Sequence, residues 1–194
     1  MTKYVAESER LGLQLLSLEE HLDGYHDIMS DVRTVKFLHR EPSKSLEESR
    51  AHMISRALSS PENPHKEMYA ILLRGSEDSN RKPKMIGSVG IPRVPVDGSA
   101  VEVGYGVNPN YWGMGIAPEA LQLFTRFYWN IREGERKDMI IAYTAPANIS
   151  SQRVLEKSGF TKGELIKQAY EAPDMLTQEM TWYPASRWHL ERPK

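Results

Sequence analysis

The chain has 194 residues, 40% of them hydrophobic and 26% charged, which suits a single domain with a sizeable core. Its formal net charge of −1 gives no reason to expect a nucleic acid or a membrane surface as partner. No cysteine is present, which excludes a disulfide scaffold, thiolate zinc sites and a catalytic thiol, and fits a reducing compartment.

The N-terminal segment lacks the apolar core of a secretory signal, and no apolar run approaches the roughly 20 residues a membrane span needs. The expectation is a cytoplasmic protein without a membrane partner. Leu11, Leu13 and Leu15 alternate with Gly12 and Gln14 and read as an edge strand. Ser17 before Leu-Glu-Glu predicts a capping-box-like start for a helix over 18 to about 30. Ser45 with Glu48 predicts a second helix to about Leu58, broken by Ser60-Pro-Glu-Asn-Pro64. Met68 to Leu73 reads as a strand, and Gly75 to Pro83 as an exposed hairpin loop.

Met85 to Ile91 and Ala100 to Val107 form a strand–turn–strand pattern about the turn Pro95-Val-Asp-Gly98. In the second strand Val101, Val103, Tyr105 and Val107 share one face, and Ala100, Glu102, Gly104 and Gly106 the other. Ile116, Ala120, Leu123, Phe124, Phe127 and Ile131 predict a helix over 116 to 131, with Phe127-Tyr128-Trp129 as core plus one interfacial ring. Asp138 to Thr144 predicts a buried strand and Asn148 to Ser158 a short helix ended by Gly159. Phe160 to Gln168 and Leu176 to Tyr183 read as the final strands. The alternation implies a mixed α/β sheet.

Gly104 to Ala117 is the most informative stretch. Gly113 and Gly115 follow a strand and open a helix, where glycine lets backbone approach a ligand and unpaired N–H groups attract phosphate. Alone, a Gly-x-Gly before a helix reads equally well as a tight turn. The six histidines offer no metal site: His21 and His26 are five residues apart, off one helical face, and His39, His52, His65 and His189 are scattered.

Two blocks carry a family resemblance. Glu102-Val-Gly-Tyr with Trp112-Gly-Met-Gly-Ile-Ala-Pro-Glu-Ala120 resembles the acetyl-CoA-binding block of the GNAT N-acetyltransferase superfamily. Asn148-Ile-Ser-Ser-Gln-Arg-Val-Leu-Glu-Lys-Ser-Gly-Phe160 resembles its second signature. Arg10-Leu-Gly-Leu-Gln-Leu-Leu16 is similar to the opening of the branch that acetylates ribosomal-protein N-termini.

The resemblance implies a single-domain α/β (α+β) fold over residues 9–183, with 1–8 an extension and 184–194 a tail. Its mixed sheet of about six or seven strands would splay at the coenzyme site, flanked by about four helices. It implies acetyl-CoA as co-substrate, and an amine acceptor, either a protein N-terminus or a small molecule, in a monomer or homodimer. Tyr105, Gly106 and Val107 would meet the pantetheine arm, and Trp112, Gly113, Met114, Gly115, Ile116 and Ala117 the pyrophosphate. Asn148, Ser151 and Arg153 would complete the coenzyme site, with Arg153 or Lys157 near the 3′-phosphate. Relatives often carry Gln or Arg at position 112, so here the phosphate grip is expected from backbone rather than from a guanidinium.

Glu102 is the candidate base, or else a carboxylate hydrogen-bonded within the sheet. Many relatives place a tyrosine at position 155, where this chain has Leu155. Ser151 is the candidate donor to the leaving sulfur, or else a helix first-turn hydrogen bond. Tyr170 and Glu171 fall where the branch often contacts its acceptor, or in a solvated loop. A non-catalytic acyl-CoA sensor is the alternative.

Overall fold

The computed structural model describes residues 4–77, 82–95, 98–130 and 136–193. The chain begins by folding back: β1 (Ala6–Glu7) lies antiparallel to β2 (Leu11–Leu15), with the Val5 N–H bonded to the Leu13 carbonyl at 2.8 Å. The Leu11–Leu15 strand is therefore covered on its outer side rather than forming the edge.

α1 (Leu18–Met29), α2 (Val32–Val35) and α3 (Leu46–His52) follow, and a π-helical turn, Met53–Ala57, extends the last. Ser45 caps α3 by accepting from the Glu48 N–H at 3.2 Å, and the Glu48 carboxylate accepts from the Lys44 N–H at 2.7 Å, as the capping pattern predicts. Ser17 does not cap α1 with its side chain; its N–H instead donates to the His21 Nδ1 at 3.1 Å, so that box is only apparent.

β3 (Glu67–Leu73), β4 (Lys84–Arg93) and β5 (Val101–Val107) form an antiparallel meander, then α4 (Ile116–Asn130) crosses to β6 (Met139–Thr144). α5 (Ile149–Lys157) leads into the long hairpin of β7 (Thr161–Pro173) and β8 (Met180–Glu191). Among the described residues the strands form one mixed eight-stranded sheet in the order β1-β2-β3-β4-β5-β6-β8-β7, with five α-helices. Val96, Asp97 and Ile131, read as turn and helix residues, lie outside the described residues.

The last strand departs most from expectation. Leu176 is 94% exposed in the β7–β8 connection, and the strand starts at Met180 and continues to Glu191. The expected tail is its second half: Ser186 to Glu191 pair with β6, and Trp188 is buried with its indole N–H donating to the Thr144 hydroxyl at 2.9 Å. β7 likewise runs past Gln168 to Pro173, so Tyr170 and Glu171 lie in a strand and not in a loop. Phe127, Tyr128 and Trp129 are all buried, so none is interfacial.

Strand alternation divides the interior into two layers. Tyr69, Ile71, Val89, Val101, Val103 and Val107 pack with α4 and with Leu155 of α5. Ala70, Leu72 and Met85 point to the other face, against Tyr25, Ile28, Met29 and Met53 of the α1–α3 segment. Glu102, Gly104 and Gly106 therefore look toward the α1–α3 side.

The glycines of β4 and β5 differ in what they allow. A Cβ on Gly90 would lie 2.2 Å from the Glu67 carbonyl oxygen on the neighbouring strand, whereas one on Gly106 would meet nothing within 4 Å. Gly90→Ala is expected to lower unfolding free energy by about 1–3 kcal/mol in urea titrations. Gly106→Ala should stay within about 0.5 kcal/mol of the parent.

Candidate active site

The site starts from a pairing that stops. β5 and β6 run parallel, but only Val101 faces Ile140 and Glu102 faces Ile141. Beyond that, β5 continues along β4 to Val107 while β6 continues along β8 to Thr144. The two strands part into a wedge, and among the described residues the β6-facing backbone edge of residues 103–107 has no strand beside it. The Val107 carbonyl, expected to serve a ligand, already accepts from the Trp112 indole N–H at 2.7 Å. Trp112 thus closes the end of the edge while remaining 51% exposed as a residue.

The glycine turn sits at the mouth of this wedge. Gly113 and Gly115 have φ of +78° and +75°, a left-handed conformation that favours glycine, and space for a Cβ on Gly113 is empty within 4 Å. The first bond of α4 runs from the Glu119 N–H to the Gly115 carbonyl at 3.2 Å. The N–H groups of Gly113, Met114, Gly115, Ile116 and Ala117 have no acceptor among the described residues. Several unpartnered donors at the positive end of a 15-residue helix fit a phosphate or pyrophosphate.

α5 lines the opposite side of the wedge. Asn148 caps it by accepting from the Ser151 N–H at 3.1 Å and the Ser150 hydroxyl at 2.9 Å, so its side-chain oxygen is engaged locally. Tyr105 reaches across from β5: its hydroxyl lies 3.0 Å from the Ser151 carbonyl oxygen and 2.8 Å from Ser151 Oγ. The sequence treats these two residues separately, and the fold joins them. Burial pushes the Tyr105 phenol up to about 12, against the opposing hydrogen bond with Ser151, so it stays protonated as a donor. Leu155 is fully buried in the core. Arg153 is exposed on α5.

Glu102 lies at the apex of the wedge, where pairing ends. It is 9% exposed and accepts an ion pair from Arg93 Nε at 2.9 Å on the adjacent strand. Burial raises its carboxyl above the usual range, and the Arg93 guanidinium offsets only part of that rise. The expected free space around it is smaller than the sequence suggests. A Cβ on Gly104 would lie 3.2 Å from Pro92 Cγ, so only Gly106 leaves an open surface.

The α1–α3 segment crosses the same face. Arg33, held by Asp31 at 2.6 Å, donates to Asn110 Oδ1 at 3.2 Å, beyond the end of β5. A few residues later His39 Nε2 meets the Tyr170 hydroxyl at 3.0 Å, and its ring lies 3.9 Å from that of Tyr183. The segment is tied to both arms of the wedge. Tyr170 is thereby placed in a contact cluster, whereas Glu171 is exposed. His39 and Tyr183 carry no sequence signal for this role; their contacts span 131 residues or more of chain. Deeper in the segment, burial, with Arg40 and Arg56 nearby, lowers His52 to about 4, and its Nδ1 lies 2.8 Å from the Tyr25 hydroxyl. Among the described residues no three His, Asp or Glu side chains group as metal ligands, and no helix is long and apolar enough to cross a membrane.

Comparison with known proteins agrees with this geometry. A profile described as the acetyltransferase (GNAT) domain matches residues 10–161. An uncharacterized N-acetyltransferase p20 of Bacillus licheniformis is 24% identical over 169 residues, covering 87% of this chain and 89% of that protein. The solved GNAT-family acetyltransferase from Bacillus anthracis superposes with a TM-score of 0.73 at 20% identity, covering 96% of this chain and 97% of the other. RimL, a ribosomal L7/L12 alpha-N-protein acetyltransferase solved with coenzyme A, gives a TM-score of 0.67 at 18% identity, covering 98% of both chains.

The Asn148 cap gives this arm of the wedge a measurable stability. Asn148→Ala is expected to cost about 1 kcal/mol in chemical unfolding, the usual value of a lost N-cap. Asn148→Asp, which keeps the accepting oxygen, should restore most of it.

Proposed function

Because the chain belongs to the GNAT acetyltransferase family, we propose that it moves an acetyl group from acetyl-CoA to an amine by direct attack in a ternary complex. The observation that carries this reading is the wedge between β5 and β6, opening beside a helix N-terminus with unpartnered N–H groups. The free edge of residues 103–107 suits a pantetheine arm lying along it like an added strand, and the turn from Trp112 to Ala117 suits the pyrophosphate.

Glu102 faces the α1–α3 side, where the acceptor would enter, four residues along the same strand face from the open surface at Gly106. Its raised pKa suits it to take a proton from the acceptor ammonium, directly or through water. The freed amine attacks the thioester carbonyl, the carbon–sulfur bond breaks with its electron pair leaving on sulfur, and the proton that the new amide nitrogen sheds passes to the thiolate or to solvent. Ser151 would donate a hydrogen bond to that sulfur. The role requires the Tyr105 hydrogen to turn from the Ser151 carbonyl to Ser151 Oγ, both within reach, which leaves the single serine hydrogen for the sulfur.

The acceptor is an amine of a protein N-terminus or of a small molecule, and the likeness of the Arg10–Leu16 segment to the ribosomal-protein branch favours the former. Leu155, buried in the core at the position where many relatives place a tyrosine acid, favours the second reading, a non-catalytic acyl-CoA sensor.

Gly115→Glu is expected to abolish acetyl-CoA binding in calorimetry while the protein stays folded; unchanged affinity would remove the coenzyme assignment. With an acceptor found by screening amines and short peptides, Glu102→Gln should lower kcat by roughly 100-fold with acetyl-CoA affinity nearly unchanged. The parent should lose activity as pH falls through a value above the ordinary carboxylate range, because the raised pKa protonates Glu102 early. That acidic limb should vanish in Glu102→Gln. Tight acetyl-CoA binding with no turnover on any amine would favour the sensor.

A further inference from the structure

The sequence assigns the phosphate grip to backbone alone, yet a guanidinium stands at the turn. Arg10 lies directly before β2, 104 residues from Met114, and its side chain extends over the glycine loop. Nη1 donates to the Met114 carbonyl at 3.1 Å, Nε donates to Glu119 Oε2 at 2.8 Å, and Nη2 also contacts Glu119 Oε2. A Cβ built on Gly115 would lie 3.8 Å from Arg10 Nη2. The cation therefore borders the same left-handed glycine whose N–H is unpartnered.

Arg10 is not consumed by these contacts. Its guanidinium has five N–H groups, and the three bonds use one on each nitrogen. One hydrogen on each terminal nitrogen has no acceptor among the described residues, and the side chain is 47% exposed. Glu119 is the better satisfied partner: Ser8 donates to its Oε1 at 2.6 Å, independently of Arg10. The carboxylate thus keeps a partner of its own when Arg10 engages a further anion, and Arg10 keeps its bond to the Met114 carbonyl without it.

We propose that Arg10 is a coenzyme-binding residue that takes a pyrophosphate oxygen of acetyl-CoA through its free terminal N–H groups. From just before β2 it supplies the guanidinium that relatives with Arg at position 112 carry on the loop itself. A planar donor fork beside five backbone N–H groups gives a dianion a partner of opposite charge as well as dipoles. This rests on the coenzyme reading of the turn given above.

The test compares acetyl-CoA with acetyl-pantetheine, which carries the same thioester without the pyrophosphate or nucleotide. Arg10→Gln should weaken acetyl-CoA binding by about tenfold or more in calorimetry, the scale of one charge-assisted hydrogen bond. It should also flatten the fall of affinity with added salt, while affinity for acetyl-pantetheine stays at the parental value. Glu119→Gln removes the anion but leaves the guanidinium, and should hold or tighten acetyl-CoA binding; Arg10→Lys should fall between parent and Arg10→Gln. The proposal is overturned if Arg10→Gln binds acetyl-CoA as the parent does. It is equally overturned if both donors weaken alike, or if Glu119→Gln reproduces the loss, because each marks a loop brace and not a phosphate contact. If Arg10→Gln does not fold, Arg10→Lys and Glu119→Gln decide between the same outcomes. Gly115→Glu separates the two levels: retained acetyl-CoA binding there removes the coenzyme reading itself, whereas lost binding with a silent Arg10 removes only this assignment.

Discussion

The chemistry proposed for this molecule depends on two strands that pair for two residues and then separate. In a continuous sheet the backbone groups of β5 would be satisfied on both sides, and no ligand would have a use for them. Here β4 satisfies one side through Val107, while β6 leaves after Glu102 to follow β8. The cost of the bare edge is limited by neighbours that cover parts of it. Trp112 takes the carbonyl at its end, and Tyr105 fastens α5 across the gap. What remains is a slot with a polar wall, flanked by strands of the same sheet on either side.

The same separation sorts the chemistry by charge. At the open end, unpartnered N–H groups, the positive end of α4 and the Arg10 guanidinium make a place for a multiply charged anion. At the closed end Glu102 is buried, and its burial works against the charged form. Arg93 restrains that rise without cancelling it. The proposed base and the proposed phosphate cradle thus occupy opposite ends of one slot. The α1–α3 segment, tied at Asn110 on one side and at Tyr170 and Tyr183 on the other, forms the wall on the face that Glu102 looks toward.

Much of this is legible in the chain because it is written locally. Gly113 and Gly115 announce a left-handed turn, Asn148 three residues before Ser151 announces a cap, and the alternation of Val101, Val103 and Val107 assigns Glu102 to the other face. The hairpin of β4 and β5 and the helix from Ile116 follow from periodicity in the same way. What escapes is long-range. The role of Trp188, which makes β8 a buried partner of β6, depends on Thr144; periodicity near Leu176 favours an apolar run that the fold leaves exposed. His39 gains meaning only against Tyr170, and Arg10 only against Met114 and Glu119. Leu11 to Leu15 reads as an edge because the short strand before it has too few residues to show a period.

Amide hydrogen exchange on adding acetyl-CoA tests the central claim most directly. The ligand's proposed polar contacts fall on two stretches of backbone, residues 103–107 of β5 and 113–117 at the start of α4. Exchange there should slow markedly in the bound protein, and β1 to β3 should be unchanged. Protection that appears elsewhere and spares both stretches would contradict the account.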